Sequence, residues 1–106
     1  MVSKATLAKG KKLCKKYGVT YRFVPKGGNF AECWRNHIQV SKLNGDRQFL
    51  SALFHEIQHC INFRNKKYMD YHKGPISVKT WKRWALPAEI YTEVQAEKLA
   101  KANGFY

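Results

Sequence analysis

Apolar residues recur at helical spacing in two parts of the chain. Within residues 3–17, apolar or small residues return every three to four positions, lysines fill the other faces, and Gly18 stands where it would end a helix. Within residues 46–63, a second apolar stripe runs along one face, and Asp46 suits the N-cap position. That stripe consists of Leu50, Leu53, Phe54, Ile57 and Ile61. The pattern predicts an N-terminal helix and a central helix.

Extended segments lie between these helices, and a third helix follows them. Residues 19–24 and 30–40 are rich in β-branched and aromatic residues, with a Pro- and Gly-containing turn between them. They predict a β-hairpin or short meander, hence a small antiparallel sheet. Residues 64–83 lack a sustained period and contain Gly74-Pro75, which predicts a long loop with a short strand at 76–78. Pro87 suits the first turn of a last helix over residues 87–102.

Length and composition fit one domain, and the predicted helices and strands place it in the α+β class. The chain has 106 residues, of which 44% are hydrophobic, so one compact core spanning residues 1–106 is expected. Neither a membrane-spanning apolar run nor a signal-peptide segment is present, which predicts a cytoplasmic protein without membrane contact. Three scattered cysteines, without Cys-x-x-Cys spacing, indicate reduced thiols rather than a disulfide framework or a zinc ribbon.

The chain is strongly basic, with 20 Lys+Arg against 7 Asp+Glu and a formal charge of +13. Such a charge attracts polyanions, so nucleic acid is a candidate partner. Trp81 and Trp84 alternate with Lys82 and Arg83, a mixture that could stack on bases and hold phosphates. The alternative is a solvated basic surface with the two tryptophans turned inward.

The central helix contains His55-Glu56-Ile57-Gln58-His59, an H-E-x-x-H motif. Histidines at i and i+4 project from one helix face, where they can bind one zinc ion, and the intervening glutamate can reach a metal-bound water. Advancing about 100° per residue places both histidines nearly opposite the apolar stripe. The motif predicts Zn²⁺ as the cofactor.

A catalytic zinc site usually takes a third protein ligand. Glu93 is one candidate, because it lies beside small alanines and between apolar flanks on the last helix, where a carboxylate needs a partner. The alternative is that Glu89, Glu93 and Glu97 form an ordinary acidic stripe. His72 in the predicted loop is the other candidate. A metzincin site is excluded, because Asn65 stands where that pattern requires histidine.

The H-E-x-x-H motif and the segment Glu93-Val94-Gln95-Ala96 together resemble the gluzincin zinc peptidases, above all the small ImmA/IrrE-like enzymes and the single-domain minigluzincins. The resemblance implies a minimal zincin-like core with an active-site helix and a C-terminal glutamate helix. It also implies that His55, His59 and Glu93 bind zinc and that Glu56 is the general base.

The implied activity is that of a zinc-dependent metalloendopeptidase acting on protein or peptide substrates. Glu56 would move the proton from the activated water to the leaving amine. The candidates for a further donor are Tyr68, Tyr71, His72 and Tyr91, and residues 33–40 could present an edge strand to an extended peptide.

Two other functions stay open. The segment His72-Lys73-Gly74-Pro75 is similar to the His-Gly-Pro of SprT-like peptidases, which implies a DNA-associated protease with His72 as third ligand. The second alternative function is that of a basic nucleic-acid-binding module without catalysis.

Overall fold

The structure is a computed structural model that describes residues 1–27, 30–66 and 86–105. Three helices and three strands in this part of the chain give the α+β architecture that the sequence predicts. In chain order they are α1 (Lys4–Lys16), β1 (Thr20–Val24), β2 (Ala31–Trp34), β3 (His37–Ser41), α2 (Asp46–Arg64) and α3 (Leu86–Ala102). None of these helices has the apolar length needed to cross a bilayer. The predicted strand at 76–78 and the segment from Trp81 to Trp84 lie outside the described residues.

The first helix lies within the predicted residues 3–17, whose ends are its N-cap and C-cap positions. Ser3 is its N-cap, and the Ser3 hydroxyl accepts a hydrogen bond of 3.2 Å from the backbone N–H of Thr6. The helix ends before Gly18, whose φ of 66° is a left-handed conformation that costs glycine little. The chain can therefore turn directly into β1.

The sheet is mixed rather than antiparallel, which corrects the prediction. Its strand order is β1-β3-β2: β1 pairs parallel with β3, and β2 pairs antiparallel with β3. The stretch predicted as one extended segment folds back at Arg35, which has a φ of 56°, and at Asn36. The predicted edge role of residues 33–40 is therefore wrong for β3, which is central, and only β2 and β1 form edges of the described sheet.

Contacts from distant parts of the chain fix this turn. The side-chain amide of Asn36 donates a hydrogen bond of 2.6 Å to the carbonyl of Gly18, and Arg64 Nε donates one of 2.9 Å to Asn36 Oδ1. These contacts anchor the turn next to Arg35, whose left-handed φ of 56° is uncommon for a residue other than glycine. Gly18 and Arg64 are far from Asn36 in the sequence, so the local pattern of residues 30–40 does not predict this turn.

The core lies between the sheet and the inner face of α2. Phe49, Leu53 and Ile57 of α2 are buried in the same cluster as Ile38 and Val40 of β3. Helix α1 closes one side, where a Cβ at Gly10 would lie only 3.0 Å from Phe49 Cε1. The absence of a side chain at Gly10 thus lets α1 approach α2 closely.

The start of α2 differs by one position from the prediction. Gly45 is the N-cap, and Asp46 is the first helical residue. The Asp46 carboxylate instead accepts hydrogen bonds from Ser3, at 2.7 Å from the backbone N–H and 2.9 Å from the hydroxyl. These hydrogen bonds hold the pKa of Asp46 below its ordinary value. Asp46 therefore links the first turns of α1 and α2.

Candidate metal centre

The two histidines of the H-E-x-x-H motif lie together on the face of α2 opposite the core. His55 and His59 are one helical turn apart, and their Nε2 atoms are 3.1 Å from each other. The side chain of His55 is 19% exposed to solvent and that of His59 is 14% exposed. The sequence-based placement of both rings away from the apolar stripe agrees with this arrangement.

Two carboxylates of α3 contact these rings. Glu89 lies between them, with Oε2 at 3.0 Å from His55 Nε2 and Oε1 at 2.9 Å from His59 Nε2. Glu93 Oε2 lies 2.7 Å from Nδ1, the other ring nitrogen of His55. Hydrogen bonds from His55 and His59 hold the pKa of Glu89 well below its ordinary value, and the hydrogen bond to Glu89 raises the pKa of His55.

The Nε2 atoms of His55 and His59 face each other. The carboxylate that contacts both of them is that of Glu89 and not that of Glu93. The packed face of α3 contains Thr92, Ala96 and Ala100, all buried. At 100° per residue, Glu89 lies about 20° from the centre of that face and Glu93 about 60° from it. The side chain of Glu93 is accordingly 64% exposed, against 44% for Glu89.

The sequence-based description of the α3 faces is therefore only partly right. The alanines pack as expected, but Ile90 and Val94, which form one of the two apolar flanks of Glu93, are exposed, at 61% and 47%. Glu93 still reaches His55, so the acidic residues of α3 are not simply a solvated stripe. Two of them, Glu89 and Glu93, contact the motif histidines.

A buried polar chain holds α3 against α2. Asn62 Nδ2 donates a hydrogen bond of 3.0 Å to the hydroxyl of Thr92, and Gln58 Nε2 donates one of 2.9 Å to Asn62 Oδ1. All three side chains are buried. The sequence analysis missed them, although Gln58 and Asn62 follow one another at i and i+4 on α2. Thr92 lies between Glu89 and Glu93, so this chain connects α2 and α3 at the level of the two carboxylates.

Glu56, the predicted general base, is 7% exposed. Its carboxylate makes no hydrogen bond or ion pair with a residue in the described ranges, although the charges of His55 and His59 act on it. Burial raises the pKa of Glu56, and the neighbouring histidines partly offset that rise. A buried carboxylate that finds no hydrogen-bonding partner among the described residues is costly in a structural role, which makes Glu56 a candidate functional group.

Three side chains are close enough together that they could hold a single metal ion. His55, His59 and Glu89 each offer a ligand atom, and these atoms all lie within 4.8 Å of one another. Zinc bonds of about 2.0–2.1 Å at tetrahedral angles would separate neighbouring ligand atoms by about 3.3 Å. The two imidazole nitrogens lie 3.1 Å apart, and each lies 2.9–3.0 Å from a different oxygen of Glu89, so the separations are of the size that an ion would need. Two imidazoles and one carboxylate are a known ligand set of catalytic zinc.

A cleft of about 570 Å³ lies between α2 and α3 beside this centre. Its walls are formed by Arg47, Gln48, Ser51 and Phe54 of α2 and by Glu93, Ala96 and Glu97 of α3. Since Glu93 belongs to both the cleft and the histidine cluster, the cleft opens next to the candidate metal centre. Of the predicted additional donors, Tyr91 is half-buried on α3. Tyr68, Tyr71 and His72 lie outside the described residues.

Comparison with known proteins adds no assignment. No protein-family model, curated protein or solved structure matches the chain. The resemblance to gluzincins therefore depends on the motif residues alone, and membership of that family stays a prediction.

Proposed function

We propose that this chain is a zinc-dependent peptidase whose centre is formed by α2 and α3. The observation that carries the proposal is the convergence of His55, His59 and Glu89 on one point, beside the buried carboxylate of Glu56. The donor set, the separations and the adjacent cleft are all consistent with metal-assisted hydrolysis of a peptide bond.

In this proposal, the Nε2 atoms of His55 and His59 and a Glu89 oxygen hold the ion. Glu93 is a positioning residue: it binds Nδ1 of His55 and so fixes the orientation of that ring. This assignment differs from the one implied by the gluzincin resemblance, in which Glu93 is the ligand. The two assignments make opposite predictions for substitutions at Glu89 and Glu93.

Glu56 is proposed as the general base. It neighbours His55 in the chain, and its buried carboxylate can take a proton from a water molecule at the centre and pass it to the leaving nitrogen. Zinc, when bound, would supply Lewis-acid polarisation of the scissile carbonyl and a lowered pKa for water. The cleft between α2 and α3 would hold the substrate, with Arg47 and Glu97 on its walls.

The direct test combines metal analysis with hydrolysis of an unstructured protein such as casein. The purified chain should hold one zinc ion per molecule, cleave casein, lose activity with a chelator and regain it when zinc is added. Cleavage that persists in full after the ion has been removed would contradict the proposal. So would the absence of both zinc binding and cleavage in a folded sample.

A second candidate function, binding of a polyanion such as nucleic acid, is favoured by one separate feature. Lys11, Lys12 and Lys15 of α1 line a concavity of about 520 Å³ together with Thr20 and Tyr21 of β1. Lysines beside an exposed aromatic ring can hold phosphates and stack on a base.

The test of this second function is a salt titration of binding to single-stranded DNA, with the triple substitution of the three lysines by glutamine as the comparison. Affinity should fall steeply with salt for the natural chain and less steeply for the variant. A DNA-stimulated peptidase would combine both functions.

As the site of action we propose the cytoplasm, in which the cysteine thiols would stay reduced.

A further inference from the structure

Two cysteine side chains meet where β2 packs against α2. The Sγ atoms of Cys33 and Cys60 are 3.1 Å apart, and the two residues are separated by 27 positions in the chain. Neither is part of a disulfide. A disulfide bond is about 2.0 Å long, so the two sulfurs need to approach by only about 1 Å to form one.

Local structure explains why they meet. Cys33 pairs with Ile38 across the β2–β3 ladder, and paired residues of antiparallel strands point to the same face of a sheet. Ile38 is fully buried, so this face is the one that α2 covers. Cys60 is also fully buried and lies on α2 directly after His59.

The two thiols differ in access to solvent. Cys33 is half-buried on an edge strand, and its sulfur also lies 3.4 Å from the carbonyl of Arg35 at the turn. Cys60 is completely enclosed. A small oxidant in solution can therefore reach Cys33 first, while Cys60 is held in position to react with the product.

We propose that Cys33 and Cys60 are a reversible disulfide-forming pair that responds to peroxide. In the first step, the Cys33 sulfur attacks hydrogen peroxide: an S–O bond forms, the O–O bond breaks and one water leaves. In the second step, the Cys60 sulfur attacks the Cys33 sulfenic acid: the S–S bond forms, the S–O bond breaks and a second water leaves. The two sulfurs together lose two electrons, which the peroxide accepts.

The third cysteine provides a control within the same chain. Cys14 is fully buried, and burial raises its pKa to about 12, which leaves almost no reactive thiolate near neutral pH. The oxidation should therefore be confined to Cys33, which is the more exposed thiol, and to Cys60, which is buried like Cys14 but has its sulfur 3.1 Å from that of Cys33. The variant Cys14→Ala should behave like the natural chain, whereas Cys33→Ser removes the pair with little change to the core.

The test treats the full chain, freed of reductant, with hydrogen peroxide and then alkylates the remaining thiols. We expect a mass loss of two hydrogen atoms, one alkylated cysteine instead of three, and a peptide map with Cys33 linked to Cys60. Dithiothreitol should reverse all three changes. The oxidised chain should melt about 10 °C higher than the reduced one, because the bond restricts the unfolded state.

Cys14→Ala should keep the linkage and the rise in melting temperature, and Cys33→Ser should lose both. Recovery of Cys33 and Cys60 as separate thiols or sulfinic acids after oxidation would overturn the proposal. A linkage that includes Cys14 would do the same. The test is independent of zinc binding and peptidase activity, so its outcome leaves the proposed function to be judged by its own experiment.

Discussion

The side-chain amide of Asn62 donates a hydrogen bond of 3.0 Å to the hydroxyl of Thr92, and both residues are fully buried between α2 and α3. The contact lies on α3 between the two carboxylates that reach His55. It therefore connects the packing of this helix with the geometry of the candidate metal centre.

The first prediction concerns this contact. Thr92→Val keeps the shape of the side chain but leaves the buried Asn62 amide without its acceptor, which should lower the free energy of unfolding by about 1–3 kcal/mol. Denaturant titration measures this loss. The matched control is Thr20→Val, because Thr20 is exposed and its replacement should have a much smaller effect. Equal stability of both variants would show that the Asn62–Thr92 contact contributes little.

The second prediction separates the two carboxylates of the candidate metal centre. Glu89→Gln removes a proposed ligand, whereas Glu93→Gln removes the partner of His55 Nδ1. Loss of such a positioning partner typically lowers metal affinity about 10–100-fold, and loss of the ligand should lower it further. Competition with a chromogenic chelator gives both affinities.

Glu97→Gln, on the same helix, serves as the control and should bind zinc like the natural chain. A larger loss in Glu93→Gln than in Glu89→Gln would return the ligand role to Glu93, as the gluzincin resemblance implies. Unchanged affinity in both variants would direct attention to His72.

The third prediction concerns Glu56. Glu56→Gln preserves size and burial but removes the base, so zinc stoichiometry should be unchanged while casein hydrolysis falls by about 100-fold or more. Metal analysis and a fluorescent casein assay on the same sample measure both quantities. Substantial hydrolysis by the zinc-loaded variant would exclude Glu56 as the base.

The fourth prediction concerns the dependence of stability on pH. The folded-state pKa of Asp46 is lowered by its hydrogen bonds to Ser3, so ionised Asp46 favours the folded chain. This contribution is present above the ordinary pKa of the carboxyl, about 3.9, and is lost as the pH falls through the lowered value.

Asp46→Asn should therefore be less stable than the natural chain near neutral pH, and the difference should shrink below pH 4 or so. Denaturant titrations at several pH values measure it. Ser3→Ala should reproduce part of the effect. A difference between Asp46→Asn and the natural chain that grows on acidification would have the wrong sign and would refute this account.

Much of the fold follows from local patterns. The stripes of α1 and α2 and the start of α3 near Pro87 are set by helical spacing and turn residues, which a single sequence displays directly. The mixed sheet does not follow in this way, because the turn at Arg35 and Asn36 depends on Gly18 and Arg64. The displaced N-cap of α2 has a similar cause, since Asp46 is engaged by Ser3.

The same distinction applies to the candidate site. His55, Glu56 and His59 could be found because they lie on one helix, where their spacing fixes their mutual positions. The choice between Glu89 and Glu93 depends on the rotation of α3 against α2, and that rotation arises from packing between the helices, which includes the buried contact of Asn62 with Thr92. The proximity of Cys33 and Cys60 likewise arises only when β2 packs on α2.

The division of the centre between two helices has a consequence for any binding measurement. His55 and His59 belong to α2 and Glu89 to α3, so the full set of proposed ligands comes together only in molecules in which α3 is packed against α2. The observed affinity is then the intrinsic affinity multiplied by the fraction of such molecules. Ala100 of α3 is fully buried and is not one of the proposed ligands. A bulky residue at this position would push α3 away from α2, and the measured zinc affinity should therefore fall. A zinc titration would therefore also measure the fraction of molecules in which α3 is packed against α2.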